Sequence, residues 1–182
     1  MKNILTEKIF KIRYATVDDA ERLLQIYSYY VEETAISFEI KVPTLTNFRA
    51  RITQTLKKFP YLVAECENKI VGYAYAHEFI GREAYRFSAE LIIYLDKNFL
   101  HCGVGRKLYE ELEKILKAQG IKNLYACVGW VDEEDKFLNH NSANFHQHLG
   151  FKVVGKFTKC GRKFNRWYDM IWLEKIIGSH ED

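Results

Sequence analysis

The chain has 182 residues, 48% of them hydrophobic and 15% aromatic, which suffices for a substantial core in one domain, with its core at about residues 11–175. Its 27 Lys and Arg against 24 Asp and Glu leave a formal charge of +3, and no dense basic block gathers that charge into a footprint for nucleic acid, so nucleic-acid binding is not expected. No apolar run approaches the roughly 18 to 20 residues that cross a bilayer, and Met1 to Lys11 alternates charged with apolar residues where a signal peptide has an apolar core. A cytoplasmic protein without a membrane partner is expected.

In chain order, Lys11-Ile12-Arg13-Tyr14-Ala15 alternates as a first strand, and Thr16-Val17-Asp18-Asp19 marks a helix start with Thr16 suited to cap it. Ala20, Leu23, Leu24, Tyr27, Tyr30 and Val31 follow at helical spacing. A second helix begins near Thr44 after Pro43, carries Leu45, Phe48, Ile52 and Leu56 on one face, and stops at Pro60. Tyr61 to Cys66 and Ile70 to Glu78 are rich in strand formers, and the short link Glu67-Asn68-Lys69 pairs them as an antiparallel hairpin.

The next strand covers about Arg86 to Leu95. Beyond a glycine-bearing loop, Val104, Leu108, Leu112, Ile115 and Leu116 mark a long helix ending at Gly120, with Tyr109 read as core. Leu124 to Val128 is a short strand, Ser142 to Leu149 a brief helix closed by Gly150, and Phe151 to Thr158 and Trp167 to Leu173 are strands with Gly161 in the turn between them. The order β-α-α-β-β-β-α-β-α-β-β requires a mixed sheet, since hairpins alternate with helical crossovers. Trp130 to Phe137, with four consecutive acidic residues from Asp132 to Asp135, reads as a solvent-facing loop insertion.

Cys66, Cys102, Cys127 and Cys160 are scattered without a Cys-x-x-Cys pair, so reduced thiols are expected in place of zinc or disulfides. The most informative stretch runs from the apolar strand Glu90 to Leu95 into His101-Cys102-Gly103-Val104-Gly105-Arg106 and the long helix. Two glycines at a helix entrance let the backbone approach a ligand closely, and the first free N–H groups face an anion with the helix dipole behind them. A phosphate-bearing cofactor is the reading this favours, a tight turn the plainer one.

Element order and glycine loop together resemble the GNAT superfamily of acetyl-CoA-dependent N-acetyltransferases over nearly the whole chain. Its usual signature begins with Gln or Arg; here Leu100 stands in that place before His101-Cys102-Gly103-Val104-Gly105. Arg82 to Glu90, Asn139 to Ser142 with His146 and Leu149-Gly150-Phe151, and Lys163 to Asp169 are similar, in that order, to the phosphinothricin acetyltransferase branch, which usually has a shorter link before the position of Asn139. The resemblance implies an α/β (α+β) GNAT-type acyl-CoA N-acyltransferase fold, with a central, mixed, largely antiparallel twisted sheet flanked by helices. It also implies acetyl-CoA as co-substrate, a small-molecule amine as acceptor, and a homodimer.

The resemblance further assigns roles. Glu90 is the implied base that accepts a proton from the amine, against the plainer reading of a strand-opening residue paired with a surface cation. Ile92, Ile93, Tyr94 and Leu95 supply backbone groups to acetyl and pantetheine while their side chains build core, and His101, Cys102, Gly103, Val104, Gly105 and Arg106 cradle the diphosphate. His146 protonates the departing thiolate or shares in a proton relay; Asn139 bonds the pantetheine arm, and Asn139 and Ser142 equally suit helix capping. Arg82 pairs with a substrate carboxylate and Phe38 and Tyr85 wall the acceptor pocket, their plain alternatives being a surface arginine and two packed rings. His140, His146 and His148 lack an aligned carboxylate or cysteine, so no metal is expected. The implied acceptors are phosphinothricin and methionine sulfoximine or sulfone; a protein or peptide N-terminus, and a CoA-binding module without turnover, are the rivals.

Overall fold

The computed structural model describes residues 9–181, so most of the Met1 to Lys11 segment lies outside the described residues. The strands are β1 (Lys11–Tyr14), β2 (Tyr61–Cys66), β3 (Lys69–Glu78), β4 (Ser88–Leu95), β5 (Asn123–Trp130), β6 (Lys152–Lys163) and β7 (Arg166–Ile176). The helices are α1 (Ala20–Glu33), α2 (Leu45–Leu56), α3 (Val104–Ala118) and α4 (Asn141–His148). The sheet order is β1-β2-β3-β4-β5-β7-β6, antiparallel throughout except between β4 and β5. α3 supplies the crossover between that pair, and α4 carries the chain from β5 past the place of β7 to β6 at the edge. Among the described residues no helix is long and apolar enough to cross a membrane.

Helices cover both faces of the sheet. Along β2, Leu62, Ala64 and Cys66 face the α3 side, and Tyr61 and Val63 face α1 and α2. Leu108, Leu112 and Leu116 of α3 are fully buried against the first face, each contributing about 1.5–3 kcal/mol of transfer free energy. Leu23, Ile26, Tyr27, Tyr30, Phe48 and Ile52 fill the second. At the entrance to α1 the Asp19 carboxylate accepts the Thr16 N–H at 2.7 Å, and Nη1 and Nη2 of Arg13 each donate to it at 2.8 Å.

Two expectations need correction. The β6–β7 turn lies at Phe164 and Asn165, both left-handed with φ 48° and 60°, and Gly161 belongs to β6 at a register shift. A Cβ at Gly161 would fall 2.4 Å from the Phe38 ring, so glycine is needed there to clear an aromatic neighbour. The acidic segment is only partly a solvent-facing loop: Asp132 and Glu133 are exposed, whereas Val131 and Leu138 are buried. Asp135 accepts the N–H groups of Phe137 and Leu138 at 2.8 and 2.7 Å, the Tyr168 hydroxyl at 3.0 Å and Arg166 at 2.6 Å. One carboxylate thus folds the loop onto the β6–β7 hairpin, where Phe137 stacks on Phe164.

Candidate active site

The site begins where β4 and β5 part. Their parallel pairing runs from Ser88↔Asn123 to Glu90↔Tyr125 and stops, although β4 continues to Leu95 and β5 stays paired with β7 as far as Trp130. The divergence leaves a cleft of about 190 Å³ bordered by Glu90, Ile93, Cys127, Gly129, Tyr109 and His146. Strand alternation decides which main-chain groups face it. Asp96 N–H bonds the Val71 carbonyl at 2.8 Å, so the even residues Ile92 and Tyr94 turn their amides to β3, and Ile93 and Leu95 turn theirs toward the gap. The Leu95 N–H donates to the Tyr30 hydroxyl oxygen at 3.3 Å, and the same hydroxyl donates to the Leu95 carbonyl at 2.5 Å, which leaves Ile93 as the donor beside the opening.

At one end of the cleft lies the entrance of α3. Gly103 precedes the helix with φ 83° and His101 is also left-handed at 59°, a backbone shape that glycine adopts without strain. The first helical bond, Lys107 N–H to Gly103 O at 3.2 Å, leaves the amides of Val104, Gly105 and Arg106 ahead of it. A Cβ on Gly105 would meet the Phe145 ring at 3.0 Å and the Ile93 side chain at 3.4 Å, so this glycine lets the helix end abut the opened strand. That arrangement fits a diphosphate at the amides and an extended arm in the cleft. Cys102 is engaged locally, donating to the Phe99 carbonyl at 2.8 Å, while His101 and Leu100 are exposed and Arg106 lies 4.0 Å from Glu110.

Glu90 stands at the fork. Ala89 and Leu91 point into the α3-side core, so Glu90 points to the other face, with 16% of its side chain exposed. Burial raises its pKa above the ordinary carboxylate value, and His77, opposite it on β3, partly offsets the rise. The neighbouring Cys127 is open to solvent at the cleft, and its thiol is pushed up by desolvation against the cleft walls, with the Glu90 charge adding to the effect.

His146 is 3% exposed, and burial lowers its pKa to about 4. Its Nδ1 lies 2.7 Å from the Ser142 carbonyl, which can only accept, so Nδ1 carries the proton and Nε2 accepts the Tyr109 hydroxyl at 2.9 Å. Tyr109 is core, as its periodicity indicated, yet it also borders the cleft and is joined to His146. Helical periodicity could flag its burial but not its partner on another helix. Asn139 Oδ1 accepts the Asn141 N–H at 3.1 Å just ahead of α4, whereas Ser142 sits inside the first turn. His140 stacks on Trp130 and bonds the Val131 carbonyl, and among the described residues no group of three or more His, Cys, Asp or Glu is placed to hold a metal.

On the α1/α2 face two further cavities adjoin the cleft. One of about 370 Å³ is bordered by Phe38, Ser37, Glu39, Tyr94, Cys127 and Met170; the other, of about 310 Å³, by Tyr61, Tyr73, Tyr75, Tyr94, Arg51 and Glu39. Arg51 pairs with Glu39 at 2.6 Å. Lys163, also buried, donates to the Ser37 carbonyl at 2.6 Å and ties the Phe38 segment to β6. Phe38 therefore joins the site, whereas Arg82 and Tyr85 lie in the exposed β3–β4 connection and border none of these three cavities.

Residues 12–172 match the acetyltransferase (GNAT) domain family. The chain is 34% identical over 169 residues to a phosphinothricin N-acetyltransferase of Alcaligenes faecalis, covering 92% of this chain and 83% of that protein. It superposes at a TM-score of 0.86 on a GNAT superfamily phosphinothricin acetyltransferase from Sinorhizobium meliloti in complex with acetyl-CoA, at 29% identity over 93% of this chain and 89% of that one. A ribosomal-protein-alanine N-acetyltransferase from Brucella melitensis gives a TM-score of 0.83 at 33% identity, covering 91% and 99% of the two chains. These likenesses span the sheet, the β4–β5 fork and the α3 entrance together, and the chain belongs to the GNAT family as an acetyl-CoA-dependent N-acetyltransferase.

Proposed function

We propose that the protein moves the acetyl group of acetyl-CoA directly to the amino group of a small amino acid or analogue of the phosphinothricin, methionine sulfoximine or methionine sulfone type. The observation that carries the reading is the half-buried carboxylate of Glu90 at the fork, on the cleft that Ile93 borders beside the α3 entrance. The acceptor enters from the α1/α2 face as an ammonium ion and Glu90 takes one proton from it. The amine nitrogen then bonds the thioester carbonyl carbon, and the oxygen, now negative, receives the Ile93 N–H. As the C–S bond breaks, the second proton that the nitrogen must lose passes to the departing thiolate by way of the Tyr109 hydroxyl, which gives its own proton to sulfur as it takes the one from nitrogen. His146, neutral at physiological pH, holds that hydroxyl in place through Nε2. Phe38 and Tyr94 border the space for the acceptor's side chain. Asn139 and Ser142 serve the pantetheine arm, and Arg82 and Tyr85 the acceptor.

The same reading takes residues 1–182 as a single domain acting as a cytoplasmic homodimer, an assembly consistent with the exposed Val153, Val154, Phe157 and Trp167 on β6 and β7. A second reading, acetylation of a protein N-terminus, is favoured by the likeness to the Brucella melitensis enzyme. A thiol-release assay with acetyl-CoA across amino acids, the three analogues and short peptides separates the two. Turnover confined to peptides overturns the small-acceptor reading, and a Glu90→Gln variant with full kcat and an unchanged pH profile overturns the base assignment.

A further inference from the structure

Transfer from an ammonium acceptor releases a proton. The ammonium and acetyl-CoA become the N-acetyl product, the free thiol of CoA and one H⁺, and that proton resides on Glu90 when the C–N bond has formed. Glu90 is half-buried, with 16% of its side chain exposed, so turnover needs a path by which its proton reaches water.

His77 stands at that outlet. It is the residue directly opposite Glu90 across the β3–β4 ladder, with 42% of its side chain exposed. Its Nδ1 lies 2.7 Å from the Glu78 carbonyl, an acceptor, so Nδ1 carries a proton and the ring is held with Nε2 toward Glu90. Nε2 lies 3.7 Å from Glu90 Oε2, a gap that a small rotation of either side chain closes to a hydrogen bond. The ring also borders the 310 Å³ cavity, which places it between the carboxylate and open space.

We propose that His77 is a positioning residue for Glu90 and the outlet for its proton: Nε2 takes H⁺ from the Glu90 carboxylic acid, regenerating the carboxylate, and the imidazolium gives it to bulk water. The inference rests on the assignment of Glu90 as the base. The other titratable groups near the pair are Tyr75 on β3, Tyr109 on α3 and Cys127 on β5, which all sense the Glu90 charge, and Arg51 and Glu39 across the cavity. Desolvation in the site and the Glu90 charge hold the three neutral at physiological pH, Cys127 although it is open to solvent, and Arg51 and Glu39 are paired with each other at 2.6 Å. Among these groups only the His77 ring turns an unprotonated nitrogen toward Glu90 while open to solvent.

The test compares His77→Ala, His77→Gln and Glu90→Gln with the wild type, on the acceptor that the thiol-release panel turns over fastest. His77→Ala is expected to lower kcat roughly tenfold, less than the loss of a direct acid or base. KM for acetyl-CoA should be unchanged, and added imidazole should restore kcat in the variant and leave the wild type unaffected. Removing the cationic form of His77 is expected to move the Glu90 carboxyl titration, followed by ¹³C NMR in the less disruptive His77→Gln protein, to higher pH. Unchanged kcat and pH profile, a loss that imidazole does not rescue, or an unmoved Glu90 titration each overturns the outlet. If instead Glu90→Gln keeps full turnover, the base assignment itself falls; if Glu90→Gln is inactive and His77→Ala matches the wild type, only the outlet falls.

Discussion

Lowering the pH from 7 to 5 acts directly on the buried pair at the centre of the cleft. His146 titrates at about 4 in the fold because burial disfavours its cation, against about 6.5 for an unfolded chain. Between those values the unfolded chain binds a proton that the native state does not, so stability is full above pH 6.5 and declines as the pH falls toward 4. The loss from this one group works out at about 2 kcal/mol at pH 5 and about 3 kcal/mol near pH 4, at roughly 1.36 kcal/mol per unit. The side chain is 3% exposed, so solvent does little to screen the effect. Urea unfolding at pH 7 and pH 5, in the wild type and in His146→Gln, isolates it. The variant starts less stable at pH 7, having lost the Tyr109 and Ser142 contacts, and falls by less on acidification. Equal losses in the two proteins would refute a buried neutral imidazole as the source of the pH dependence.

Gly105→Val puts a branched side chain where a Cβ already meets the Phe145 ring at 3.0 Å, pushing the α3 entrance off the opened strand. Calorimetry should show CoA binding at least about tenfold weaker, or ~1.4 kcal/mol, and unchanged affinity would count against the cradle at Gly103 to Arg106. Gly161→Ala collides with the partly exposed edge of the Phe38 ring, which can swing aside, so a stability loss of about 1 kcal/mol is expected together with a raised acceptor KM and an unaltered KM for acetyl-CoA. An unaltered acceptor KM would remove Phe38 from the pocket. Asp135→Ala strips one acceptor from Phe137, Leu138, Tyr168 and Arg166 and is expected to destabilise by about 2–3 kcal/mol in urea; Arg166→Ala, at a partly exposed partner, should give less. Equal effects would mean that the ion pair, not the amide bonds, holds the loop.

Much of the architecture was legible from local pattern. The 3.6-residue spacing of Leu23, Tyr27, Tyr30 and Val31 marked the buried face of α1, and the short link expected at Glu67-Asn68-Lys69 closes a hairpin, with Lys69 already in β3 and Glu67 and Asn68 left-handed at φ 50° and 61°. Gly120 ends α3 as expected, with the Ile121 N–H reaching back to the Leu116 carbonyl at 3.0 Å. Such signals are intrinsic to a few consecutive residues, because backbone sterics and side-chain period act over that range. The β6–β7 turn was misplaced because Gly161 carries a turn residue's chemistry for a tertiary reason, clearance for Phe38, while Phe164 and Asn165 adopt left-handed conformations in the turn between paired strands.

The site's chemistry lay mostly beyond local reach. Periodicity ranks a residue as buried or exposed, but the order of strands in the sheet and the packing of α3 on α4 decide which buried groups meet. Glu90 faces His77 because β3 and β4 pair in one register, and Tyr109 finds His146 because helices distant in the chain share one face of the cleft. Arg82 and Tyr85 are close to Glu90 in sequence and yet border none of the site's three cavities; Tyr85 packs instead on Phe79, which stacks on Tyr125. The chain alone determined the elements and the glycine entrance to α3. Only the folded sheet decided where β4 leaves β5, because that opening is a relation between two strands separated by a whole helix.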